Sequence, residues 1–377
     1  MTATTSQVGA GVGVNVAGFL HASNGLGDAG RQLVTSLRAA GVDVVEVDFD
    51  ATDAARVRDV ARMSERLHDV TIAVVTAFEL EAFRAACPEL FANGRKVIGY
   101  WFWELSEVPA SHHLASRLLD EVWTPTQFVF DAYRAVLPAT TPVRLAPLRL
   151  PLVESDPPAV RPWRQAWGDR FTFLTVLNYL SVPERKNPRA AIQAFQEAFP
   201  RHRTDVQLVV KAQNVEFRMR DAAALRRLVG GDERVVFEER HLDDRSHQGL
   251  VEAADCLVST HRSEGLGLVP ALAMSLDTAV IATAYGGNVD YSDDQNCLLV
   301  DFDLVPVTNG EGVYPDGATW AEISRPGLVD AMRRVEDDVA LRTALVSSGR
   351  STIFEQPSEA DVGASYAALL GSGQSSQ

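Results

Sequence analysis

Apolar residues fall into short β-rich runs, and helix-like stretches separate the runs. In the first part of the chain the runs cover residues 43–49, 71–75, 97–100 and 121–123. Between them apolar residues recur at helical spacing, as at Leu33, Leu37 and Ala40. A second series has runs at 171–177, 206–210, 235–237, 256–258, 279–281 and 297–300. Such alternation predicts βα units built around parallel sheets. Pro147, Pro151, Pro157, Pro158 and Pro162 lie between the two series. Proline fixes φ and removes an N–H donor, so residues 151–165 read as an interdomain linker. The expected organisation is a first domain over 1–150 and a second over 166–355. The Gly/Ser/Gln-rich end, 371–377, reads as a disordered tail.

Composition narrows the function. A chain of 377 residues has room for two cores, and 46% apolar with 23% charged residues is ordinary for a globular protein. The formal net charge of −15 argues against gripping nucleic acid, and leaves membrane association peripheral at most. No apolar run approaches the length of a membrane span, about 20 residues. The first fixed positive charge is Arg31, so the positive start of a signal peptide is missing. Cys87, Cys256 and Cys297 show neither paired nor metal-ligand spacing. They read as buried thiols of a cytoplasmic protein, with no metal site.

The densest chemistry follows the run at 256–258. His261-Arg262-Ser263-Glu264-Gly265-Leu266-Gly267-Leu268-Val269-Pro270 leads into the helix-like Ala271-Leu272-Ala273-Met274. Strand, Gly-rich turn and helix start together aim backbone N–H groups and a helix dipole at an anion. Gly265, Leu266, Gly267 and Leu268 would supply those groups. Glu264 on the turn would accept hydrogen bonds from sugar hydroxyls. A phosphate carrying a sugar fits both features, and an ordinary strand-to-helix connection is the alternative.

A second constellation follows the run at 171–177. In Asn178-Tyr179-Leu180-Ser181-Val182-Pro183-Glu184-Arg185-Lys186-Asn187-Pro188, two adjacent cations sit at a strand-to-helix crossing. The helix dipole disfavours cations at its start unless an anion joins them. Arg185 offers a bidentate fork and Lys186 a point charge, which suits a pyrophosphate, although Arg185 can instead face solvent. Lys211 is a third cation at a strand's carboxyl end, where ligands of open α/β sheets bind.

Two further motifs lie near the amino end. Gly25-Leu26-Gly27-Asp28-Ala29-Gly30, with Asp48 about 20 residues on, matches a dinucleotide fingerprint on paper. That motif wants its tight turn at the strand end, and His21-Ala22-Ser23-Asn24 intervene. Gly99-Tyr100-Trp101-Phe102-Trp103-Glu104 sets three aromatics and a carboxylate after a buried-looking strand. Trp103 and Glu104 suit sugar binding or core packing equally, and Trp101 suits the core. His112, His113, His241 and His247 match neither a metal site nor a catalytic triad.

Ser263-Glu264-Gly265-Leu266-Gly267-Leu268 followed by Ala273-Met274 resembles the donor-site signature of retaining GT-B glycosyltransferases of family four. Val280-Ile281-Ala282-Thr283-Ala284-Tyr285-Gly286-Gly287-Asn288 and Leu304-Val305-Pro306-Val307 resemble a subgroup of bacterial sugar-polymer and natural-product transferases. Arg185-Lys186-Asn187-Pro188 is similar to the element whose basic residues hold the donor diphosphate. Trp101 with Glu104 resembles the subgroup's Trp-x-x-Glu. The likeness extends over residues 18–334 and is strongest over 249–307.

The resemblance implies an α/β GT-B fold, with two Rossmann-like doubly wound domains facing a central cleft. A helix at 356–370 would cross back to the first domain. A retaining, metal-independent transferase would move sugar from a nucleotide-diphosphate sugar, its co-substrate, to a small-molecule or saccharide acceptor. It would need no cofactor. Glu264, Lys186 and Arg185 would act in catalysis. Gly25, Gly27, Asn178, Lys211, the 265–268 turn and Asn288 would line the donor, and Trp103 and Glu104 the acceptor side. The family commonly has a second Glu eight residues after the first, and Leu272 stands there. That departure motivates one alternative, a catalytically weakened sugar-nucleotide-binding protein. An NAD-dependent oxidoreductase is the other.

Overall fold

The computed structural model describes residues 13–22, 25–49, 66–92 and 94–372. Contacts divide the chain into two units. One holds the segments up to Arg149 and from Pro357 onward, and the other is Leu150–Gln356.

The first unit is built on strands β1 (Gly13–Gly18), β2 (Asp43–Asp48), β3 (Val70–Val74), β4 (Lys96–Tyr100), β5 (Glu121–Thr124) and β6 (Val143–Leu145). Every pairing is parallel, in the order β2-β1-β3-β4-β5-β6. The helix Gly25–Ala39 follows β1. Its Gly27 cannot carry a side chain, because a Cβ there would lie 2.2 Å from the Ala22 carbonyl oxygen. The last helix, Glu359–Ser372, packs on this same helix, where Gly363 presses against the Ser36 carbonyl. Its Tyr366 stacks on Trp123 at 5.8 Å and donates to the Pro147 carbonyl at 2.6 Å. The helix runs two residues into the segment expected to be a disordered tail, because Leu370 and its turn are held against this unit. Residues 373–377 lie outside the described residues.

The second unit has strands β7 (Phe171–Asn178), β8 (Val206–Gln213), β9 (Val235–Glu238), β10 (Cys256–Ser259), β11 (Ala279–Thr283) and β12 (Leu298–Val300). They run parallel in the order β12-β11-β10-β7-β8-β9. A parallel sheet covered on both faces demands near-continuous apolar strands, which is why these runs stand out in the sequence. Phe173, Phe195 and Phe199 centre the core on one face. An antiparallel hairpin, β13 (Phe302–Pro306) with β14 (Thr319–Ile323), stands apart from the main sheet.

The proline-rich segment is not a linker throughout. Residues 157–167 form the helix Pro157–Trp167 within the second unit. Pro157 and Pro158 occupy its first turn, where no intrahelical N–H bond is lost. Trp163 and Trp167, four apart, bury one face. This helix packs on the helix Asp244–Ala253 so closely that a Cβ at Gly249 would lie 2.5 Å from the Ala159 carbonyl oxygen. No described helix is long and apolar enough to cross a membrane.

Candidate functional site

Sheet order explains the central cluster. β7 and β10 are neighbours and parallel, so the loops leaving their carboxyl ends lie side by side. One loop carries the short helix Pro183–Lys186, and the other carries residues 260–267. The Arg262 N–H donates to the Arg185 carbonyl at 2.7 Å. The Thr260 hydroxyl donates to the Asn187 carbonyl, also at 2.7 Å.

This contact joins three residues distant in sequence. Lys186 Nζ donates to Glu264 Oε1. Arg185 Nη1 lies 3.2 Å from Glu264 Oε2 and 3.0 Å from the Ser263 carbonyl oxygen, to which it donates. Glu264 is 9% exposed and Arg185 5%. Arg185 therefore does not face solvent, because the 260–267 loop closes over it. The Lys186 side chain keeps 23% exposure and is the more approachable cation. Burial pushes the Glu264 carboxyl up, but Lys186 and Arg185 outweigh that push and hold it down at about 2. Glu264 is thus ionised at physiological pH.

Around this trio the backbone is packed without room for side chains. Gly286 has φ +101°, and the Gly287 N–H donates to the Glu264 carbonyl at 2.7 Å. A Cβ on Gly287 would stand 2.0 Å from the Gly265 carbonyl oxygen. Gly267, at φ +84°, caps the helix Leu268–Ser275, and Tyr291 donates its hydroxyl to the Gly267 carbonyl. Glu264, Gly265, Leu266, Gly267 and Leu268 therefore form one turn, clamped by the loop after β11. The turn ends at a helix start, where N–H groups and dipole favour an anion. Leu266 is 6% exposed, whereas Leu268 is half-buried. Leu272, one turn along, is also half-buried rather than sealed in the core.

Other residues expected at the donor have internal work. Asn288 is fully buried. Its Nδ2 donates to the Thr283 carbonyl at 3.1 Å, and its Oδ1 lies 3.1 Å from His261 Nε2. Both ends of its amide are engaged inside the protein. Lys211 is fully buried too, with Nζ donating to the Arg240 carbonyl at 2.6 Å, and burial lowers its pKa. Asn178 Oδ1 accepts from the Leu180 N–H at 3.0 Å and from Asn214 Nδ2 at 2.8 Å, which ties the loops after β7 and β8 together.

In the first unit, Gly25 opens the helix Gly25–Ala39 and Gly27 is pressed on the preceding loop. Arg31, the cation beside them, donates to the Leu20 carbonyl at 2.8 Å and the Ala22 carbonyl at 3.0 Å, and pairs with Asp28. It braces the loop. Ser23 and Asn24 of that motif lie outside the described residues. Asp48 accepts from the His21 N–H at 3.1 Å, so the fingerprint's acidic residue also serves its own loop.

Trp103 is 3% exposed. Its ring meets His112 edge-on at 4.6 Å, and its Nε1 donates to the Glu107 carbonyl at 2.9 Å. Trp103 is a core residue and offers no open face for stacking a sugar. Glu104 beside it is half-buried.

Burial pushes the His112 imidazole down to about 4. Between pH 6.5 and 4 the unfolded chain therefore binds a proton that the folded chain refuses, and stability falls as pH falls through this window. The expected loss at His112 from pH 7 to 4.5 is roughly 2–3 kcal/mol. Urea unfolding of the wild type and His112→Gln at both pH values checks this: the variant should lose less stability on acidification. Equal losses in both proteins would contradict it.

Arg262 and Glu322 are site residues that the sequence motifs leave without a role. Arg262 Nε donates to Glu322 Oε2 at 2.7 Å, and Nη1 donates to the Glu184 carbonyl at 2.8 Å. Arg262 was visible within the turn motif. Glu322, on β14, carried no signal of its own. Among the described residues, no group of three or more His, Cys, Asp and Glu side chains is placed to hold a metal ion.

Comparisons with known proteins fit this picture. Residues 170–306, all within the second unit, match the family model described as Glycosyl transferases group 1. No curated protein matches the sequence. Among solved structures, HepE of Anabaena, in complex with UDP and glucose, is 14% identical. The alignment covers 96% of this chain and 100% of that one, with a TM-score of 0.68. Sucrose-phosphate synthase of Thermosynechococcus elongatus is 15% identical over 97% of this chain and 100% of its own, at 0.69. A UDP-forming α,α-trehalose-phosphate synthase from Burkholderia xenovorans is 12% identical over 96% and 99%, at 0.65. The fold is GT-B: two Rossmann-like α/β units, each on a six-stranded parallel sheet.

Proposed function

We propose that this protein is a retaining, metal-independent glycosyltransferase of family four. It moves a sugar from a nucleotide-diphosphate sugar to an acceptor hydroxyl or other nucleophile. One observation carries the reading: Lys186 and Arg185 converge on Glu264 at a Gly-rich turn that opens a helix. The match of residues 170–306 to a glycosyltransferase model and the UDP and glucose bound in Anabaena HepE support it.

The cluster suits the chemistry. Cleaving the bond from sugar to diphosphate gathers negative charge on the departing phosphate. Lys186 and Arg185, fixed beforehand, with Arg185 buried, stabilise that charge without reorganising. Glu264, ionised, accepts hydrogen bonds from sugar hydroxyls and orients the ring. Front-face displacement assisted by the leaving phosphate accounts for retention, with no nucleophile from the protein. A thermal-shift screen of nucleotide-diphosphate sugars identifies the donor, because selective binding raises apparent stability. Its slow hydrolysis, followed by NMR, then reads the anomeric outcome. First-formed sugar with the donor's configuration is expected, and the opposite anomer would contradict a retaining mechanism.

Leu272→Glu offers a second check. Leu268 and Leu272 form a half-buried face, so a carboxylate at 272 can reach water or a ribose. One added ribose hydrogen bond should tighten nucleoside-diphosphate binding by about 0.5–1.5 kcal/mol, measured calorimetrically. Weaker binding together with lower stability would show that the position has been repacked around Leu.

A further inference from the structure

We propose that Arg262 is a positioning residue of the anion site, held in place by the β13–β14 hairpin through Glu322 and Trp320. This brace sets the pose in which Lys186 meets a diphosphate. The inference rests on the donor reading above and adds the element that controls its basic turn.

The helix Pro183–Lys186 is a single turn, too short to be stable alone. The last carbonyls of such a turn have no partner within it and need donors from elsewhere. The 260–262 loop supplies them. Arg262 Nη1 donates to the Glu184 carbonyl at 2.8 Å, and the Arg262 N–H to the Arg185 carbonyl at 2.7 Å. The Thr260 hydroxyl takes the Asn187 carbonyl. A guanidinium at the carboxyl end of a helical turn also opposes the negative end of its dipole. The turn must then reverse sharply. Asn187 does this at φ 49°, while its side chain caps the helix Pro188–Ala198.

Arg262 is itself fixed from the far side. Its Nε and Nη2 both reach Glu322 Oε2, at 2.7 and 2.6 Å. Its guanidinium carbon lies 5.1 Å from the centre of the Trp320 ring, a cation–π contact. The Ala321 N–H donates to the Arg262 carbonyl at 2.9 Å. Glu322 Oε1 accepts from Asn187 Nδ2 at 3.3 Å, so one carboxylate of β14 reaches both the brace and the turn. Three consecutive hairpin residues, Trp320, Ala321 and Glu322, thus hold one arginine. That arginine holds the backbone from which Arg185 and Lys186 project. Lysine cannot replace it, because an ammonium lacks the planar fork that serves Glu322 and the Glu184 carbonyl together.

The test uses Arg262→Lys, Arg262→Gln and Glu322→Gln in the full chain. Glu322 is 40% exposed at its side chain, so its variant spares the core. Two readouts are combined: the rate at which an amine-reactive ester modifies Lys186 without ligand, resolved by peptide mass spectrometry, and the Kd for uridine diphosphate and inorganic pyrophosphate. Both Arg262 variants should raise Lys186 modification several-fold and weaken wild-type-like diphosphate binding at least five-fold. Glu322→Gln should do the same to a smaller degree. Unchanged Lys186 modification in the folded variants would overturn the brace, whatever the ligand proves to be. Raised modification with unchanged Kd would overturn its role in anion binding. If the wild type binds neither probe, nor guanosine, adenosine or thymidine diphosphate, while modification still rises, the donor reading fails and the brace stands.

Discussion

Lys186→Ala is expected to slow sugar transfer about 10- to 150-fold. A charge-assisted hydrogen bond to a sheltered diphosphate contributes about 1.5–3 kcal/mol, and each 1.36 kcal/mol is tenfold in rate. Folding should be little affected. The side chain is partly exposed, and its loss leaves Glu264 still paired with Arg185. Arg185→Ala should slow transfer too, but at a visible cost in stability. Arg185 is buried and also satisfies the Ser263 carbonyl. Steady-state kinetics with a melting curve for each variant separates the two residues. Normal rates in both would remove the diphosphate from this turn.

Glu264→Gln should separate binding from turnover. The substitution keeps the shape and removes the negative charge that Lys186 and Arg185 share at Glu264. Breaking a buried pair by removing one partner commonly costs about 3–5 kcal/mol, and the partial exposure of Lys186 places this case near or below the lower figure. The ligand-free protein should therefore melt earlier. A nucleoside diphosphate restores the missing negative charge, so it should bind more tightly than to the wild type and recover most of the lost stability. Transfer should nevertheless fall, because the sugar loses its carboxylate. Calorimetry and kinetics on the same preparation check this. Tighter binding with slower transfer is the expected pair. Normal transfer with lower stability would make Glu264 a purely structural residue.

Much of the fold was legible because parallel strands covered on both faces read as continuous apolar runs. Residues 171–177 and 256–258 are two such runs, and each became a central strand. The helix Pro157–Trp167 is hidden in the sequence because proline inside a segment usually breaks a helix. At the first turn proline opens a helix, and the deciding packing at Gly249 lies far along the chain. The β13–β14 hairpin escaped as well. Its β13 positions are half-buried or exposed, without the apolar run that marks the sheet strands.

At the site, residue types were readable and partnerships were not. Arg185 and Lys186 stood out as paired cations, and Glu264 as a carboxylate on a turn. Lys186 and Glu264 lie 78 positions apart, and only the adjacency of β7 and β10 joins them. Lys211 and Asn288 show the converse. A polar residue at a strand's carboxyl end looks the same in sequence whether it faces a ligand or braces a loop. Lys211 is turned to the Arg240 carbonyl and Asn288 to Thr283 and His261. Trp103 was open between stacking and core, and the contact with His112 places it in the core.

The central claim is that Lys186, Arg185 and Glu264 form the diphosphate end of a nucleotide-sugar site. Calorimetric titration of uridine, guanosine, adenosine and thymidine diphosphates into the wild type and Lys186→Ala tests it most directly. At least one of them should bind the wild type at a single site, and Lys186→Ala should weaken that binding tenfold or more while remaining folded. Absence of binding by all four, or equal binding to both proteins, would contradict it.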